Sequence, residues 1–220
     1  MCKFCVSRET DEIKAAAVVG DANGDGSDSD EWLLSMLLML TRDSSSQLLQ
    51  ITLERFSSVS TLYNPLLDRL ADAHANAAYL GRRKAGVLDA FNSRDVDFGK
   101  LAAAEQAPYL RRFMADLESG VYTNADGTPK TKQILARWKQ YQKRVVGSGN
   151  EAWAFSLPSE TKIYWISMPG ENCNTCPALA AASPFTPTTI PTVPRAGGTE
   201  CNVNCNCYLR TEDGATSFRI

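Results

Sequence analysis

Five of the chain's seven cysteines lie in its last quarter, in two short clusters. The first cluster is Cys173-x-x-Cys176, and the second is Cys201-x-x-x-Cys205-x-Cys207. A Cys-x-x-Cys turn presents two sulfurs to one metal ion, and structural zinc sites take four thiolate or imidazole ligands in a tetrahedron. The spacing therefore predicts a zinc site that joins the first cluster to two cysteines of the second.

The choice among the three later cysteines is open at the level of sequence. We favour Cys205 and Cys207 as partners of Cys173 and Cys176, with Cys201 as an alternative ligand or a spare thiol. The chain has one histidine, which favours an all-thiolate site over a mixed one. Disulfides and inert buried thiols are the competing interpretations.

A thiol-redox centre is a further alternative for the cysteine pairs. Neither Cys173-x-x-Cys176 nor the N-terminal pair, Cys2 and Cys5, is predicted to lie where a helix N-terminus would lower a thiol pKa. The sequence therefore disfavours redox catalysis, and it assigns no role to the N-terminal pair.

An acidic loop near the N-terminus resembles the first half of a calcium-binding loop. Asp21, Asn23 and Asp25 supply oxygen atoms at positions one, three and five, and Gly26 occupies the sixth position. The twelfth position, which needs a bidentate carboxylate, is Trp32. Because that ligand is missing, calcium is not expected and a solvated acidic loop is the preferred interpretation.

The middle of the chain is basic although the whole protein carries a formal net charge of −2. Residues 81–150 contain 13 Lys and Arg against 7 Asp and Glu, whereas residues 1–43 contain 4 against 9. Contacts with nucleic-acid phosphates or with an acidic partner are predicted for four basic side chains off the apolar face of one helix: Lys132, Lys139, Lys143 and Arg144. Trp138 and Tyr141 lie on the apolar face and are expected in the core.

Other chemistry finds little support in the sequence. His74 lies on the apolar side of an alanine-rich helix, which favours a satisfied or partly buried helix residue over a catalytic base. No phosphate-binding glycine loop and no nucleophile elbow is present. We therefore expect a protein that is not an enzyme.

Hydropathy predicts neither secretion nor a membrane anchor. The first residues lack the apolar region of a signal peptide, and the longest apolar run, Trp32 to Leu40, is too short to span a bilayer. Assembly in a reducing cytoplasm is the expectation.

The elements that position the cysteines divide into a helical part and a C-terminal module. The expected fold is mainly α, with a small cysteine-rich β and loop module at the C-terminus. The predicted parts are an acidic segment (1–30), a helical domain (31–147) that ends in Gly147-Ser-Gly-Asn150, and a module (148–220). Asn64 and Pro65 signal a helix start, and that helix is predicted to run to about Phe91.

Pro108 is expected to begin or kink the next helix, whose predicted apolar face carries Leu110, Phe113, Met114, Leu117 and Val121. In the last predicted helix, Ile134 and Val145 share the apolar face with the two aromatic residues named above. Strands are predicted at 162–168 and 207–210, and the prolines of 177–200 are expected to exclude a regular helix.

The cysteine and proline pattern of this module resembles the C-terminal motif of tailed-phage minor head proteins, the Mu F-like head-morphogenesis family. The motif-level similarity covers about 45 residues: Trp165 to Ala180, Ser183 to Pro187, Pro191 to Pro194, Gly197 to Cys201 and Asn204 to Cys207. Two features depart from the family pattern. Pro177 follows the first cysteine pair instead of lying within it, and Asn206 stands where an arginine is common in the last Cys-x-Cys.

The resemblance implies a low-copy structural component of the virion head or neck. Its implied partners are the portal protein, the major capsid protein or both, and packaged DNA is a further candidate. A role in head assembly, at the head-tail junction, or in DNA packaging or ejection would follow. The alternative function from a different class is a zinc-dependent nucleic-acid-binding protein that uses the basic segment.

Overall fold

The computed structural model describes residues 61–168 and 173–219, all of which belong to the compact unit Met36–Ile220. The elements in chain order are α1 (Tyr63–Lys84), α2 (Ser93–Glu118), α3 (Thr131–Ser156), β1 (Ile163–Ile166), α4 (Thr175–Ala182), a 3-10 turn (Asn202–Asn204) and β2 (Tyr208–Thr211). The expected fold class is confirmed, because the described chain is mainly helical and ends in a small cysteine-rich module with one strand pair.

The first helix begins two residues earlier than predicted, at Tyr63, and ends sooner. Pro65 lies in its first turn, where a missing N–H costs nothing. The prediction that the helix reaches Phe91 is wrong, because Gly86 adopts a positive φ of 89° and its N–H donates to the carbonyl of Arg83. This left-handed residue after the helix ends its hydrogen-bond ladder at Lys84.

The second helix starts with a capping box. The Asn92 side chain accepts a hydrogen bond from the backbone N–H of Arg94 (3.0 Å), and Asp95 accepts one from the backbone N–H of Asn92 (3.0 Å). Asp95 also accepts two hydrogen bonds from Arg82, at 2.8 and 2.7 Å, and this partly buried ion pair joins the end of α1 to the start of α2. Pro108 does not begin this helix but lies inside it.

The three long helices share one core in which α1 contacts both α2 and α3. Most of the predicted apolar residues of α2 and α3 are buried there: Leu110, Phe113, Met114, Leu117, Ile134, Trp138, Tyr141 and Val145. Val121 is an exception, since it lies beyond the end of α2 and is 52% exposed. The core placement of the two aromatic residues is therefore confirmed.

The prediction that the helical region ends at Gly147-Ser-Gly-Asn150 is wrong, because α3 continues to Ser156. The glycines in this stretch of α3 allow other segments of the chain to pack closely against the helix. A Cβ on Gly147 would lie 2.3 Å from the carbonyl oxygen of Arg195, and a Cβ on Gly149 would lie 2.7 Å from the ring of Phe218. The predicted division at residue 147 therefore falls inside one helix, whose C-terminal half supports the module.

The module contacts α3 through hydrogen bonds as well as through close packing. The side chain of Asn150, which is fully buried, donates to the carbonyl of Pro194 (3.1 Å) and accepts from the N–H of Phe218 (2.8 Å). The strands pair antiparallel, with Ile163 opposite Thr211 and Ile166 opposite Tyr208. Both predicted strands are thus confirmed with slightly different ends.

One element of the module was not expected. A short helix, α4, occupies Thr175–Ala182 although Pro177 lies within it. Proline is tolerated there because it stands in the first turn, whose N–H groups have no partner inside the helix. Along 61–168 and 173–219, no helix is both long and apolar enough to cross a membrane.

Candidate metal centre

The five C-terminal cysteines converge from three places in the module. Cys173 and Cys176 flank the start of α4, Cys201 precedes the 3-10 turn, and Cys205 and Cys207 lie between that turn and β2. Their sulfurs form two groups of three, in each of which all sulfurs lie within 4.8 Å of one another. One group is Cys173, Cys176 and Cys201; the other is Cys176, Cys205 and Cys207.

Cys176 is the centre of this cluster, since its sulfur belongs to both groups. Its Sγ lies 3.5 Å from the Sγ of Cys201 and 3.6 Å from the Sγ of Cys205. A zinc–sulfur bond of about 2.3 Å places the sulfurs of a tetrahedral site about 3.8 Å apart. The cluster is therefore spaced so that it could hold a metal ion.

The observed sulfur separations differ from those of a disulfide. A disulfide requires about 2.05 Å between sulfurs, and all five cysteines of the module are free thiols in the structure. Four of them are buried, whereas Cys201 is partly exposed. The chain thus presents a compact sulfur cluster with one edge near solvent.

Burial has a direct electrostatic consequence for these thiols. It raises the pKa of Cys176, and it raises the pKa of Cys205 to about 12, because a thiolate in an apolar environment is poorly solvated. Without a cation these two sulfurs keep their protons at neutral pH. A bound metal ion would displace those protons and become the charge partner that the buried thiolates lack.

The first cysteine behaves differently from the other two. Burial alone would raise the pKa of Cys173, but hydrogen bonds, led by the backbone N–H of Cys176 at 3.4 Å, lower it. The expectation that neither pair lies at a helix N-terminus is wrong for this pair, since Cys176 stands in the first turn of α4. What distinguishes the pair from an exposed redox centre is its burial beside three further sulfurs.

A second apolar cluster surrounds the sulfurs. Trp153 and Ala154 of α3 pack there with Ile163 and Trp165 of β1 and Leu209 of β2. The strand pair and the end of α3 therefore form the wall against which the cysteine segments fold. An ion bound by these sulfurs would cross-link the segments that this cluster packs together.

The structure brings together every cysteine that the sequence proposed, including the alternative one. Cys201 lies as close to Cys176 as Cys205 does. It also has a contact with the hydroxyl of Thr199 at 3.3 Å. The distance between the sulfurs of Cys201 and Cys176 therefore does not support the interpretation of Cys201 as a spare thiol. Cys201 and Cys207 are equally plausible as metal ligands, since each lies in one of the two sulfur groups.

The basic residues predicted on α3 have different environments. Lys132 and Lys139 are exposed, and Lys143 is partly buried with its Nζ 2.6 Å from the Asn204 side-chain oxygen. Arg144 is buried and pairs with Glu105 (3.2 Å) and Glu151 (3.1 Å). Its inclusion among the phosphate-contacting residues is corrected, because a guanidinium held inside the protein by two carboxylates is not presented to a ligand.

The single histidine is a hydrogen-bonded helix residue, as predicted, and it is buried more completely than the sequence indicated. His74 is fully buried, its Nδ1 lies 2.7 Å from the hydroxyl of Ser148, and its Nε2 contacts the side-chain nitrogen of Gln106. Burial, and then the charge of Arg144, lower the pKa of His74 to about 3, so the ring is neutral. Ser148 and Gln106 were not predicted as partners because they come from two other helices.

Sequence reasoning also missed three polar residues beside the sulfurs. Arg195, which is buried and has a positive φ of 69°, donates to the Asn206 side-chain oxygen at 3.1 Å. Asn204 accepts from Lys143. The alternation Asn204-Cys205-Asn206-Cys207 was the available signal, since side chains in an extended segment alternate between two faces. The calcium-loop residues Asp21, Asn23 and Asp25, and the pair Cys2 and Cys5, lie outside the described residues.

Fold and site together define a mainly helical protein with a C-terminal cysteine module that could bind a metal ion. Comparison of the chain with protein-family models, with curated proteins and with solved structures gives no match.

Proposed function

We propose that this protein is a non-catalytic structural component of a phage head, in which zinc bound by four cysteine thiolates holds the C-terminal module on the helical domain. The observation that carries the metal part is that five sulfurs, from segments distant in sequence, form two groups of three that share the buried sulfur of Cys176. The head-protein part is supported by the resemblance of the cysteine and proline pattern to Mu F-like minor head proteins.

Zinc is the ion that best fits the donors. All described donors of the cluster are sulfurs, and tetrahedral four-sulfur sites take zinc or iron. For a single ion, Cys176 is the constant ligand because it belongs to both sulfur groups. Cys173 and Cys205 join it in the proposed set, and Cys207, the ligand favoured by spacing, competes with Cys201 for the fourth place.

A structural role fits the surroundings of the ion better than a catalytic one. A catalytic zinc site keeps one position open to water or substrate, whereas structural sites are closed by four protein ligands. The described module offers more sulfurs than one ion needs, and four of the five are buried. Bound zinc would therefore cross-link α4, the 3-10 turn and the start of β2.

In the proposed assembly, the zinc-bound module and the exposed surface of the described helices α1, α2 and α3 contact the portal or major capsid protein. The described surface includes large apolar side chains that a partner could cover: Leu88, Leu101, Tyr109, Val121 and Phe155. Leu101 and Tyr109 lie two helical turns apart on α2, so one partner element could contact both.

Metal analysis of the protein purified under reducing conditions tests the first part of the proposal. One zinc per chain is expected, with loss of zinc in Cys176→Ser and retention in the control Ala178→Ser, which alters an exposed residue of the same helix. A protein that carries no zinc under zinc-replete, reducing conditions would remove the metal from the proposal.

Co-expression with the portal and major capsid proteins of the same genome tests the second part. We expect the wild-type chain to co-purify with at least one of them, and we expect Cys176→Ser to weaken that association if the ordered module forms the contact. Absence of association with both proteins would overturn the head-assembly role, whatever the zinc content.

A further inference from the structure

Three lysines form a stripe along one side of α3. Lys132, Lys139 and Lys143 are separated by seven and four residues, spacings that return to the same side of a helix. We call these three residues the lysine stripe. Glu151 is the only acidic residue between Thr131 and Ser156, and it pairs with Arg144. The stripe therefore has no acidic neighbour of its own helix to neutralise it.

The C-terminal end of this stripe touches the segment that carries two of the cysteines. In Asn204-Cys205-Asn206-Cys207, the cysteines are buried and the asparagines are exposed. Asn204 accepts a hydrogen bond from Lys143 (2.6 Å), and Asn206 accepts one from Arg195 (3.1 Å). One short segment thus faces the sulfur cluster on one side and holds two cations on the other.

The positions of these cations depend on close backbone packing. Arg195 has a left-handed backbone, with φ at 69°, and its carbonyl lies against Gly147 of α3. Backbone strain of this kind persists only where the surroundings enforce it. Burial, followed by the charges of Arg195 and Lys139, lowers the pKa of Lys143, and all three causes oppose its ammonium charge. The positive charges therefore lie close enough to repel one another.

We propose that the lysine stripe binds the phosphodiester backbone of nucleic acid, and that the metal-bound cysteine segment holds its C-terminal end in place. The metal-dependent part rests on the proposed function. With a helical rise of 1.5 Å per residue, the stripe spacings are about 10 and 6 Å. Phosphates of one strand advance about 3.4 Å along a duplex, so these spacings match about three and two nucleotide steps.

A competing role for the same cations is to balance the charge of the metal site. A zinc ion with four thiolates carries a net charge of about −2, which nearby cations stabilise. Arg195 and Lys143 suit that role through their asparagine contacts, but Lys132 and Lys139 are exposed members of the stripe, and no cysteine contact is found for them within the described residues. The two roles predict different results for the lysine variants: loss of duplex affinity if the stripe binds phosphates, and loss of zinc if the cations serve the metal site.

Fluorescence anisotropy with a 25-base-pair duplex tests the binding surface. Three phosphate contacts predict a slope of about −2.7 for log K against log salt, or about 40-fold weaker binding at 200 mM than at 50 mM salt. In Lys139→Gln/Lys143→Gln the slope should fall to about −0.9, with at least about tenfold weaker binding at 50 mM. The control is Lys100→Gln, an exposed lysine of α2, which should bind as wild type does.

The metal-dependent part is tested by Asn204→Ala/Asn206→Ala, which leaves every sulfur in place. This variant should retain its zinc and bind the duplex about three- to tenfold more weakly than wild type. Wild-type affinity in this variant would overturn the coupling. If the wild-type chain carries no zinc, both the proposed function and the coupling between the metal site and the lysine stripe fail. The lysine variants then still test whether the stripe binds phosphates.

Three further outcomes would overturn the assignment to nucleic acid. The first is no duplex binding at 50 mM salt. The second is equal affinity for polyglutamate of matched charge, which would indicate an acidic protein partner. The third is loss of zinc in the double lysine variant with unchanged duplex affinity, which would assign the cations to the metal site alone.

Discussion

Replacing Gly147 with alanine would test how the C-terminal module is joined to α3. The new Cβ would lie 2.3 Å from the carbonyl oxygen and 2.6 Å from the carbonyl carbon of Arg195, and 3.0 Å from the nitrogen of Ala196. All three atoms belong to backbone, so no side-chain rotation relieves the contact. The module would have to move away from the helix by about an ångström to restore ordinary van der Waals spacing.

The magnitude follows from two opposing effects. Alanine gains about 1 kcal/mol over glycine inside a helix. Overpacking of a close contact costs about 1–3 kcal/mol, and a backbone contact belongs at the upper end of that range. We therefore expect Gly147→Ala to lower the free energy of unfolding by about 1–2 kcal/mol, which corresponds to a Tm decrease of about 3–6 °C for a unit of this size.

The assay is thermal and urea unfolding of the zinc-loaded protein, together with the rate at which a chelator removes zinc. Removal should be faster in Gly147→Ala because the strain falls on the segment that holds Arg195. Ala136→Gly, at an exposed site of the same helix, is the matched control. It should lose about 1 kcal/mol through helix propensity alone and leave zinc removal unchanged. A higher Tm for Gly147→Ala with an unchanged chelation rate would refute the packing argument.

Three further predictions follow from the buried groups. Among the cysteines, Cys176→Ser should abolish zinc binding, whereas only one of Cys201→Ser and Cys207→Ser should do so. Zinc titration of each variant would show this. Equal zinc binding by all three variants would contradict a single four-sulfur site. His74 has a folded-state pKa of about 3 against 6.5 in the unfolded chain, so the unfolded state binds more protons between those values. The free energy of unfolding should therefore fall by up to about 1.4 kcal/mol per pH unit as the pH decreases through that window. His74→Gln should lose this pH dependence when urea unfolding is measured from pH 6.5 to 4. If the variant keeps the wild-type dependence of unfolding free energy on pH, the buried neutral ring is contradicted. Asp95→Ala should lower the free energy of unfolding by about 2–3 kcal/mol, because it removes the carboxylate of the α2 capping box and its two hydrogen bonds to Arg82, which then keeps only Asp89 at 4.0 Å; a loss below 1 kcal/mol in the same assay would show that the ion pair contributes little.

Local patterns in the sequence were reliable for element type and for the cysteine cluster. Apolar residues at helical spacing, such as Leu110, Phe113 and Leu117, are buried as predicted because one helix face must cover the core. The two strands were found from their β-branched and aromatic residues. The cysteines lie together inside an apolar cluster to which the module itself contributes Ile163, Trp165 and Leu209.

Element ends were less predictable, since the same residue type serves different purposes. Gly86 ends α1 through its positive φ, whereas Gly147 lies within α3 and admits a neighbouring backbone. A sequence pattern does not distinguish these two uses, because the difference lies in which distant segment packs there. Pro177 was similarly read as excluding a helix, although a proline in a first turn is compatible with one.

The sequence by itself determined the mainly helical class, the pairing of the earlier with the later cysteine cluster and the place of His74 on an apolar helix face, because these depend on periodicity and on residue chemistry along short stretches. Only the tertiary structure decided that Cys201 is as close to Cys176 as Cys205 is, that Arg144 pairs with Glu105 and Glu151, and that Asn204 accepts a hydrogen bond from Lys143. Each of these depends on segments brought together across tens of residues. Their physical cause is the close approach of the module to α3 at Gly147 and Asn150, where packing and hydrogen bonding fix the two parts against each other.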